Sequence, residues 1–137
     1  MKKASFLFVL GAAILVVWFA GSAAAQEKPD LSKVVGTWRV DIYGGGASYR
    51  VDLVVTENQG QLEGKVSEST GTFTDVPISE IFYDSVSFRF QFVAPTPQDG
   101  VSRTVYADFK VAEGTMTGTI SLPDLNFVGD ATATRQS

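Results

Sequence analysis

The sequence predicts an all-β protein, an eight-stranded antiparallel up-and-down barrel that follows an N-terminal signal peptide. Three observations support this prediction: apolar and polar residues alternate with a period of two, turn residues separate the alternating runs at hairpin distances, and no segment has the period of an amphipathic helix. The chain of 137 residues contains no cysteine, so no disulfide can cross-link the strands of the sheet. Closure into a barrel would protect the edges of such a sheet. A two-sheet sandwich is the main alternative.

The N-terminal segment, residues 1–25, has the composition of a secretory signal peptide. Two lysines stand near the start, an apolar run covers residues 6–20, and Ala23 and Ala25 have the A-x-A spacing of a cleavage site. We therefore expect a signal peptide at residues 1–25, with cleavage before Gln26.

An uncleaved membrane anchor is the alternative for this segment. Residues 4–26 carry no charge, and a helix over this range would be just long enough to span a bilayer. Cleavage would give a secreted or periplasmic protein that no longer contacts the membrane. The mature chain would consist of a short polar linker at residues 26–33 and a barrel domain at residues 34–137.

Three alternating runs predict the first three strands. In each run every second residue is apolar and its neighbours are mostly polar, which is typical of a strand with one buried face. Glycines 44–46 separate the first run from the second, and residues 57–60 separate the second from the third. The expected inward residues are Trp38, Val40 and Ile42, then Tyr49, Val51, Leu53 and Val55, then Leu62, Gly64 and Val66.

Five further strands are predicted after these. The fourth covers residues 72–76, residues 81–83 form only a short extended piece, and a turn at residues 84–85 leads into a strand with an aromatic stripe. A loop at residues 94–100 precedes the last three strands, and the final one runs from about residue 126 to 135. The expected inward residues are Val86, Phe88, Phe90 and Phe92, then Val105, Ala107, Phe109 and Val111, then Met116, Gly118 and Ile120.

Two segments in different halves of the mature chain resemble each other. Residues 60–67 and 114–121 share a turn glycine, a Leu or Met, a mid-strand glycine, a β-branched residue and a serine at the same spacing. An inward mid-strand glycine lets a strand bend sharply or another backbone approach closely. The repeat indicates a duplicated half-barrel, or a chance similarity between hairpins of like composition.

The composition excludes several kinds of catalytic site. Without histidine there is no Ser-His-Asp triad and no histidine-ligated metal, and without cysteine there is no thiolate nucleophile. Asp41, Asp52 and Glu63 fall on outward positions, which is typical of a solvated strand surface rather than of an acid–base pair. The chain also lacks the sequence of a calcium loop or a phosphate-binding loop. We therefore expect a protein that is not an enzyme, with no catalytic residues, no cofactor and no metal.

The charge balance argues against two classes of partner. The chain has 11 basic and 15 acidic residues, and loss of the signal peptide would leave 9 basic residues and a net charge of −6. An acidic surface disfavours nucleic acid and anionic lipid headgroups. The remaining candidates are a small apolar ligand and a protein partner.

Gly36, Trp38 and Arg135 form a signature that resembles the calycin superfamily of lipocalins, fatty-acid-binding proteins and avidins. Gly36-Thr37-Trp38 opens the first predicted strand and Arg135 closes the last, so the resemblance spans residues 34–135. In calycins the tryptophan of G-x-W packs at the closed end of the barrel, beneath a basic residue from the final strand. The resemblance implies a structural role for all three residues, in which a cation over the indole contributes about 0.5–2 kcal/mol.

Within that superfamily the chain is similar in size to the avidins. The G-x-W motif, the glycine-rich first turn and Leu62-x-Gly64 look like the opening strands of avidin. The chain departs from avidins in its tryptophans, because avidins hold biotin among several and only Trp38 would remain after signal cleavage. High-affinity biotin binding is therefore not expected. G-x-W, L-x-G and a final arginine also resemble a type of exported bacterial β-domain.

Four aromatic residues on the predicted inward face are the candidate ligand-binding residues: Tyr49, Phe88, Phe90 and Phe109. They would line a cavity in a hollow barrel and form the core of a filled one, and small eight-stranded barrels occur in both forms. We expect an exported binding protein that takes a small apolar ligand. The alternative is a protein-binding module, such as a periplasmic inhibitor or an accessory domain of an envelope assembly. An enclosed apolar cavity of about 300 Å³ or more would favour the ligand, and a filled interior with an exposed apolar patch would favour the protein partner.

Overall fold

The structure, a computed structural model, describes residues 28–137. The predicted signal peptide at residues 1–25 and the first two residues of the predicted linker at 26–33 lie outside this range. Residues 31–33 of that linker form a 3₁₀ helix, which Asp30 caps by accepting a hydrogen bond from the Ser32 amide. No helix within the described range is long and apolar enough to cross a membrane.

Nine strands form one antiparallel sheet across the described residues. Most connections between them are tight turns, such as the one at Gln59 and Gly60, where φ is 54° and 79°. The strands are β1 (Gly36–Gly44), β2 (Ala47–Asn58), β3 (Gln61–Glu68), β4 (Val76–Pro77), β5 (Ser79–Tyr83), β6 (Ser87–Pro95), β7 (Ser102–Ala112), β8 (Thr115–Leu122) and β9 (Phe127–Arg135).

The sheet curls into a nearly closed barrel. Its strand order is β4-β3-β2-β1-β9-β8-β7-β6-β5, so the first and last strands pair, with Trp38 opposite Arg135. The two edge strands, β4 and β5, are separated in the chain only by Ile78. The Ile78 amide donates to the carbonyl of Gly64 at 3.0 Å, on the strand next to β4. The gap in the barrel is therefore narrow, and a buried apolar residue fills it.

The prediction of eight strands is wrong by one, and the error lies between β3 and β6. The expected strand at residues 72–76 is a loop up to residue 75, and the expected short piece at 81–83 belongs to β5, which pairs with β6. Asp75 and Glu80 have positive φ values of 53° and 51°, so the backbone cannot continue as one extended strand through this region. The single expected strand is thus replaced by two short ones.

The carboxylate of Glu68 explains why residues 69–75 leave the sheet. It accepts hydrogen bonds from the backbone amides of Thr70 and Thr72 at 3.0 and 3.1 Å. The amide of Glu68 itself bonds the carbonyl of Phe73 at 2.9 Å. These local bonds compete with ladder pairing and override the strand preference of the threonines and the phenylalanine.

Alternate residues of the long strands face the barrel interior and form the core. Arg50, Arg89, Asp108 and Lys110 lie on the outer face and are exposed. A shift of one residue in strand phase would bury such charges, so the phase is strongly determined. The largest fully buried side chains are Trp38, Phe88, Phe109, Leu53, Met116, Val34, Val55 and Val66.

Val86 is an exception to the predicted inward face. It precedes β6 and is 60% exposed. Its amide donates to the Asp84 carboxylate at 3.0 Å, as does the amide of Ser87 at 2.7 Å. The side chain of Asp84 thereby holds a turn here, and the inward alternation starts only at Phe88.

The two mid-strand glycines of the repeat have equivalent surroundings. A Cβ on Gly64 would lie 2.8 Å from the carbonyl oxygen of Val54, and a Cβ on Gly118 would collide with the carbonyl of Asp108. Val54 and Asp108 occupy equivalent positions when Gly64 is aligned with Gly118. At both glycines the neighbouring strand approaches too closely for any side chain. This agreement supports duplication of the β2–β3 hairpin as β7–β8.

Candidate functional site

The mouth of the barrel, the end formed by the β1–β2, β3–β4, β6–β7 and β8–β9 connections, contains an apolar cavity. Its volume is about 70 Å³, and it opens to solvent. Inward residues at the ends of the strands form its walls, and residues 95–98 cover one side. The wall residues include Ile42, Tyr49, Phe73, Phe92, Leu122 and Phe127.

Below the mouth, the barrel interior is filled by side chains. The void among Phe90, Phe92 and Phe109 has a volume of about 10 Å³, which is about the least that holds one water molecule. The rings of Phe90 and Phe109 are stacked with centroids 6.2 Å apart. This part of the barrel is therefore a packed core.

The structure places the four aromatic candidate residues at different depths. Tyr49 is half-buried and lines the mouth cavity. Phe90 and Phe109 lie in the core below it, and Phe88 lies lower still, where its ring meets Tyr83 edge-on at 6.2 Å. Phe88, Phe90 and Phe109 form one continuous aromatic cluster. Tyr49 is the one of the four that lines the mouth cavity.

Glu68 is a residue of the mouth that sequence reasoning missed. It is the only charged residue among the described residues that line the cavity, and it is 8% exposed. The signal was present in the sequence: Glu68 is the next inward position of the strand that carries Leu62, Gly64 and Val66. Extending the period by one further step would have put a carboxylate on the inner face.

The carboxyl of Glu68 is held in its ionised form. Burial raises its pKa, but hydrogen bonds from Thr70 and Thr72 outweigh burial and bring the pKa below its usual value. Its atom Oε1 accepts from both amides and from the hydroxyl of Thr70. The mouth therefore presents a negative charge beside an apolar surface.

A second set of polar contacts positions the loop that covers the cavity. Arg103 binds both carboxylate oxygens of Asp99 at 2.8 Å and also donates to the hydroxyl of Thr96. Thr96 is 3% exposed and donates to the carbonyl of Val101 at 3.1 Å. The hydrogen bonds from Arg103 hold the pKa of Asp99 well below its usual range. This bidentate ion pair ties the 96–101 loop to β7.

The opposite end of the barrel is closed by Trp38 and Arg135. Trp38 is fully buried, and its Nε1 donates to the carbonyl of Val34 at 2.9 Å. Arg135 Cζ lies 4.5 Å from the centroid of the indole. The Arg135 guanidinium also donates to three backbone carbonyls, those of Ser32, Lys33 and Val35.

Gly36 makes room for this arrangement. Its φ is 144°, and a Cβ at this position would lie 2.5 Å from Arg135 Nη1. Only glycine combines that backbone conformation with the required space. These contacts join the end of β9 to the start of β1 and to residues 32–35 before it.

The comparisons with known proteins give little further information. No protein-family model matches the chain, and no curated protein matches it. Among solved structures, a redesigned β-barrel is similar at 12% sequence identity with a TM-score of 0.37, over 82% of this chain and 100% of that one. At so low a score the likeness carries no argument, and the assignment of a barrel rests on the strand pairing described above.

Proposed function

We propose that the protein is an exported, non-enzymatic binding protein that takes a small apolar group at the mouth of its barrel. The observation that carries this proposal is the apolar cavity, which lies at the end of the barrel opposite Trp38 and Arg135. Water in a small apolar cavity makes few hydrogen bonds, so an apolar group that replaces it is favoured. The calycin resemblance assigns Gly36, Trp38 and Arg135 to the closed end of the barrel. It therefore supports the opposite end, the mouth, as the place where a ligand binds.

The volume of the cavity limits what can enter. Pockets that enclose a whole drug-sized ligand have volumes of about 300–1,000 Å³, whereas the mouth has about 70 Å³. The ligand therefore inserts a narrow apolar part, such as an alkyl chain, and leaves the rest at the rim. Under this proposal Tyr49 contacts the ligand directly, and Phe90 and Phe109 form the floor, with Phe88 supporting them from below.

Export is part of the proposal and rests on the predicted signal peptide. A chain that loses residues 1–25 would act in the periplasm or outside the cell. Its net negative charge there would disfavour binding to anionic membrane surfaces and to nucleic acid.

A protein-binding module is the second candidate, because apolar side chains are exposed near the mouth. Val93, Tyr106 and Val128 lie on the outer face of β6, β7 and β9 and are 57%, 43% and 67% exposed. Val128 and Tyr106 both lie opposite Ser121 of β8, so they belong to one row across the sheet. A partner that covers this row and inserts one apolar side chain into the mouth would use both features.

Titration with 1-hexanol, followed by backbone amide NMR shifts, tests the first proposal. We expect saturable shifts at the amides of residues 68–73 and of Thr96 and Gln98, because these segments border the cavity. Leu122→Trp, at the cavity wall, should fill the mouth and abolish them. Val128→Trp is the matched control on the outer face of the next strand and should leave them unchanged.

Two results would contradict the proposal. One is the absence of saturable shifts in the wild-type protein, and the other is equal binding by both tryptophan variants. Shifts confined to the outer face around Tyr106 and Val128 would favour the protein-binding module instead.

A further inference from the structure

The mouth combines an apolar wall with one buried negative charge. Glu68 lines the cavity, is 8% exposed, and faces inward in phase with Val66 on β3. Hydrogen bonds or a cation must replace the water that an ionised carboxylate loses on burial, and Glu68 has hydrogen bonds on one oxygen only. Within the described residues two ion pairs occur, Arg50 with Asp41 and Arg103 with Asp99, and Glu68 belongs to neither.

Only one of the two carboxylate oxygens of Glu68 is used by the fold. Oε1 accepts the two amide hydrogen bonds and the hydroxyl hydrogen bond from residues 70 and 72. Among the described residues no hydrogen bond reaches Oε2, and this oxygen is open to solvent at the mouth, because no fully buried side-chain oxygen there lacks a partner. Shaping the 69–75 loop thus needs one oxygen acceptor, which a neutral amide side chain would also supply.

The repeat shows that the strand position itself does not require a charge. When Gly64 is aligned with Gly118, the residue equivalent to Glu68 in the second copy is Leu122. Leu122 also ends its strand at the mouth and lines the same cavity. An apolar residue therefore satisfies this position within the strand, and the carboxylate is a feature of the first copy, where it also accepts the hydrogen bonds of the 69–75 loop.

We propose, on the basis of the proposed function, that Glu68 Oε2 anchors the polar end of the ligand and that the ligand is an apolar primary amine in its protonated form. An ammonium group both donates a hydrogen bond to Oε2 and neutralises the carboxylate, which a hydroxyl cannot do. The apolar chain of the amine fills the cavity while its charged end stays at the rim. The pKa of Glu68 keeps the carboxylate ionised at neutral pH. The net charge, −4 for the full chain and −6 without residues 1–25, attracts cations to the protein.

The test compares three probes with the same six-carbon chain: hexylamine, 1-hexanol and hexanoate. Dissociation constants come from amide NMR shifts at pH 7. We expect hexylamine to bind about tenfold more tightly than 1-hexanol, because both probes can donate a hydrogen bond to Oε2 but only the ammonium adds the attraction of an opposite charge. Hexanoate should bind most weakly, because its charge has the same sign as that of Glu68.

The decisive variant is Glu68→Gln, which keeps an oxygen for Thr70 and Thr72 and replaces Oε2 with a donor. It should lose the preference for hexylamine and improve hexanoate binding, with 1-hexanol little changed. Glu63→Gln is the matched control, because it removes the same charge from the exposed outer face of the same strand. It should keep the wild-type order of the three probes.

Opposite changes in the affinities for hexylamine and hexanoate would identify Glu68 as a ligand anchor, because loss of a purely structural residue would weaken the binding of both. If Glu68→Gln weakens all three probes together, Glu68 only maintains the loop and the anchor is overturned. If 1-hexanol binds the wild type as tightly as hexylamine does, the anchor is overturned while the proposed function remains. If none of the three probes binds, the proposed function fails and the anchor fails with it.

Discussion

The two ends of the barrel differ in how completely the chain satisfies its own polar groups. At the closed end the Arg135 guanidinium meets three carbonyls and the Trp38 ring, and the indole N–H meets a fourth carbonyl. At the mouth a carboxylate keeps one oxygen without a donor from the described chain, next to an apolar cavity. An end whose polar groups all have hydrogen-bond partners within the chain stabilises the fold. An end with a polar atom that lacks such a partner is where a ligand can provide the missing hydrogen bond.

Both ends nevertheless use a charged side chain to tie irregular backbone to the barrel. Arg135 ties residues 32–35 at the closed end. Arg103 ties the 96–101 loop at the mouth through Asp99 and Thr96. The segment tied at the closed end contains the fully buried Val34, whereas the loop tied at the mouth borders the cavity. A charged side chain thus positions irregular backbone at both ends, but that backbone closes one end of the barrel and borders an open cavity at the other.

Truncating an aromatic residue at each end should show the largest difference in stability. Trp38→Ala should lower the free energy of unfolding by about 3–5 kcal/mol, because it empties a fully buried site. Tyr49→Ala should cost about 1–2 kcal/mol, because Tyr49 is half-buried beside a cavity. Urea denaturation followed by circular dichroism measures both. Equal losses would mean that the mouth is as tightly packed as the closed end.

Removing the cation of the closed end should have the next largest effect. Arg135→Ala should cost about 1–3 kcal/mol, because it removes the contact with the indole and leaves three carbonyls without their donor. Arg89→Ala is the matched control, since Arg89 lies 4.3 Å from the ring centroid of Phe82 on the exposed outer face. Its cost should stay below about 1 kcal/mol.

The fluorescence of Trp38 gives a second measurement for the same pair of variants. Its emission should shift to longer wavelength in Arg135→Ala and remain unchanged in Arg89→Ala. An unchanged spectrum and melting temperature in Arg135→Ala would remove the structural role of the calycin-like signature.

The smallest expected effect is on how steeply the stability of the protein falls in acid when Glu68, at the mouth, is replaced. The pKa of Glu68 is lower in the folded protein than its usual value of 4.5, so below about pH 4.5 the unfolded chain binds more protons than the folded chain. The contribution of Glu68 is therefore complete at neutral pH and is lost as the pH falls through the lowered folded value. Urea denaturation between pH 3 and pH 7 should show a shallower loss of stability in Glu68→Gln than in wild type.

Glu63→Gln, measured in parallel, corrects for the general effect of removing one negative charge. A loss of stability on the acid side that is equally steep in wild type and Glu68→Gln would show that the carboxylate of Glu68 adds nothing to the stability of the mouth.

Much of the barrel follows from the sequence because a half-buried strand shows its faces locally. The alternation in β1, β2, β6 and β7 predicted which residues point inward, and the structure buries most of them, although Tyr49 and Val111 are half-buried and Val86 is exposed. Glycines and short polar runs marked most of the turns. The alternation also predicted that the aromatic stripe of β6 faces inward. The four candidate residues lie at different depths, however, and only Tyr49 among them reaches the mouth cavity.

Local patterns were enough to predict the all-β class and the phase of the long strands, because both depend on a side-chain period. The contact between Trp38 and Arg135 was expected from the resemblance that a short motif carries. The ninth strand, the filled interior and the place of Glu68 at the mouth became visible only in the folded chain. The sheet is interrupted between β3 and β4, where the carboxylate of Glu68 accepts the amides of Thr70 and Thr72. Cavity volume depends on how side chains from distant strands interdigitate, and no local sequence pattern predicts that packing.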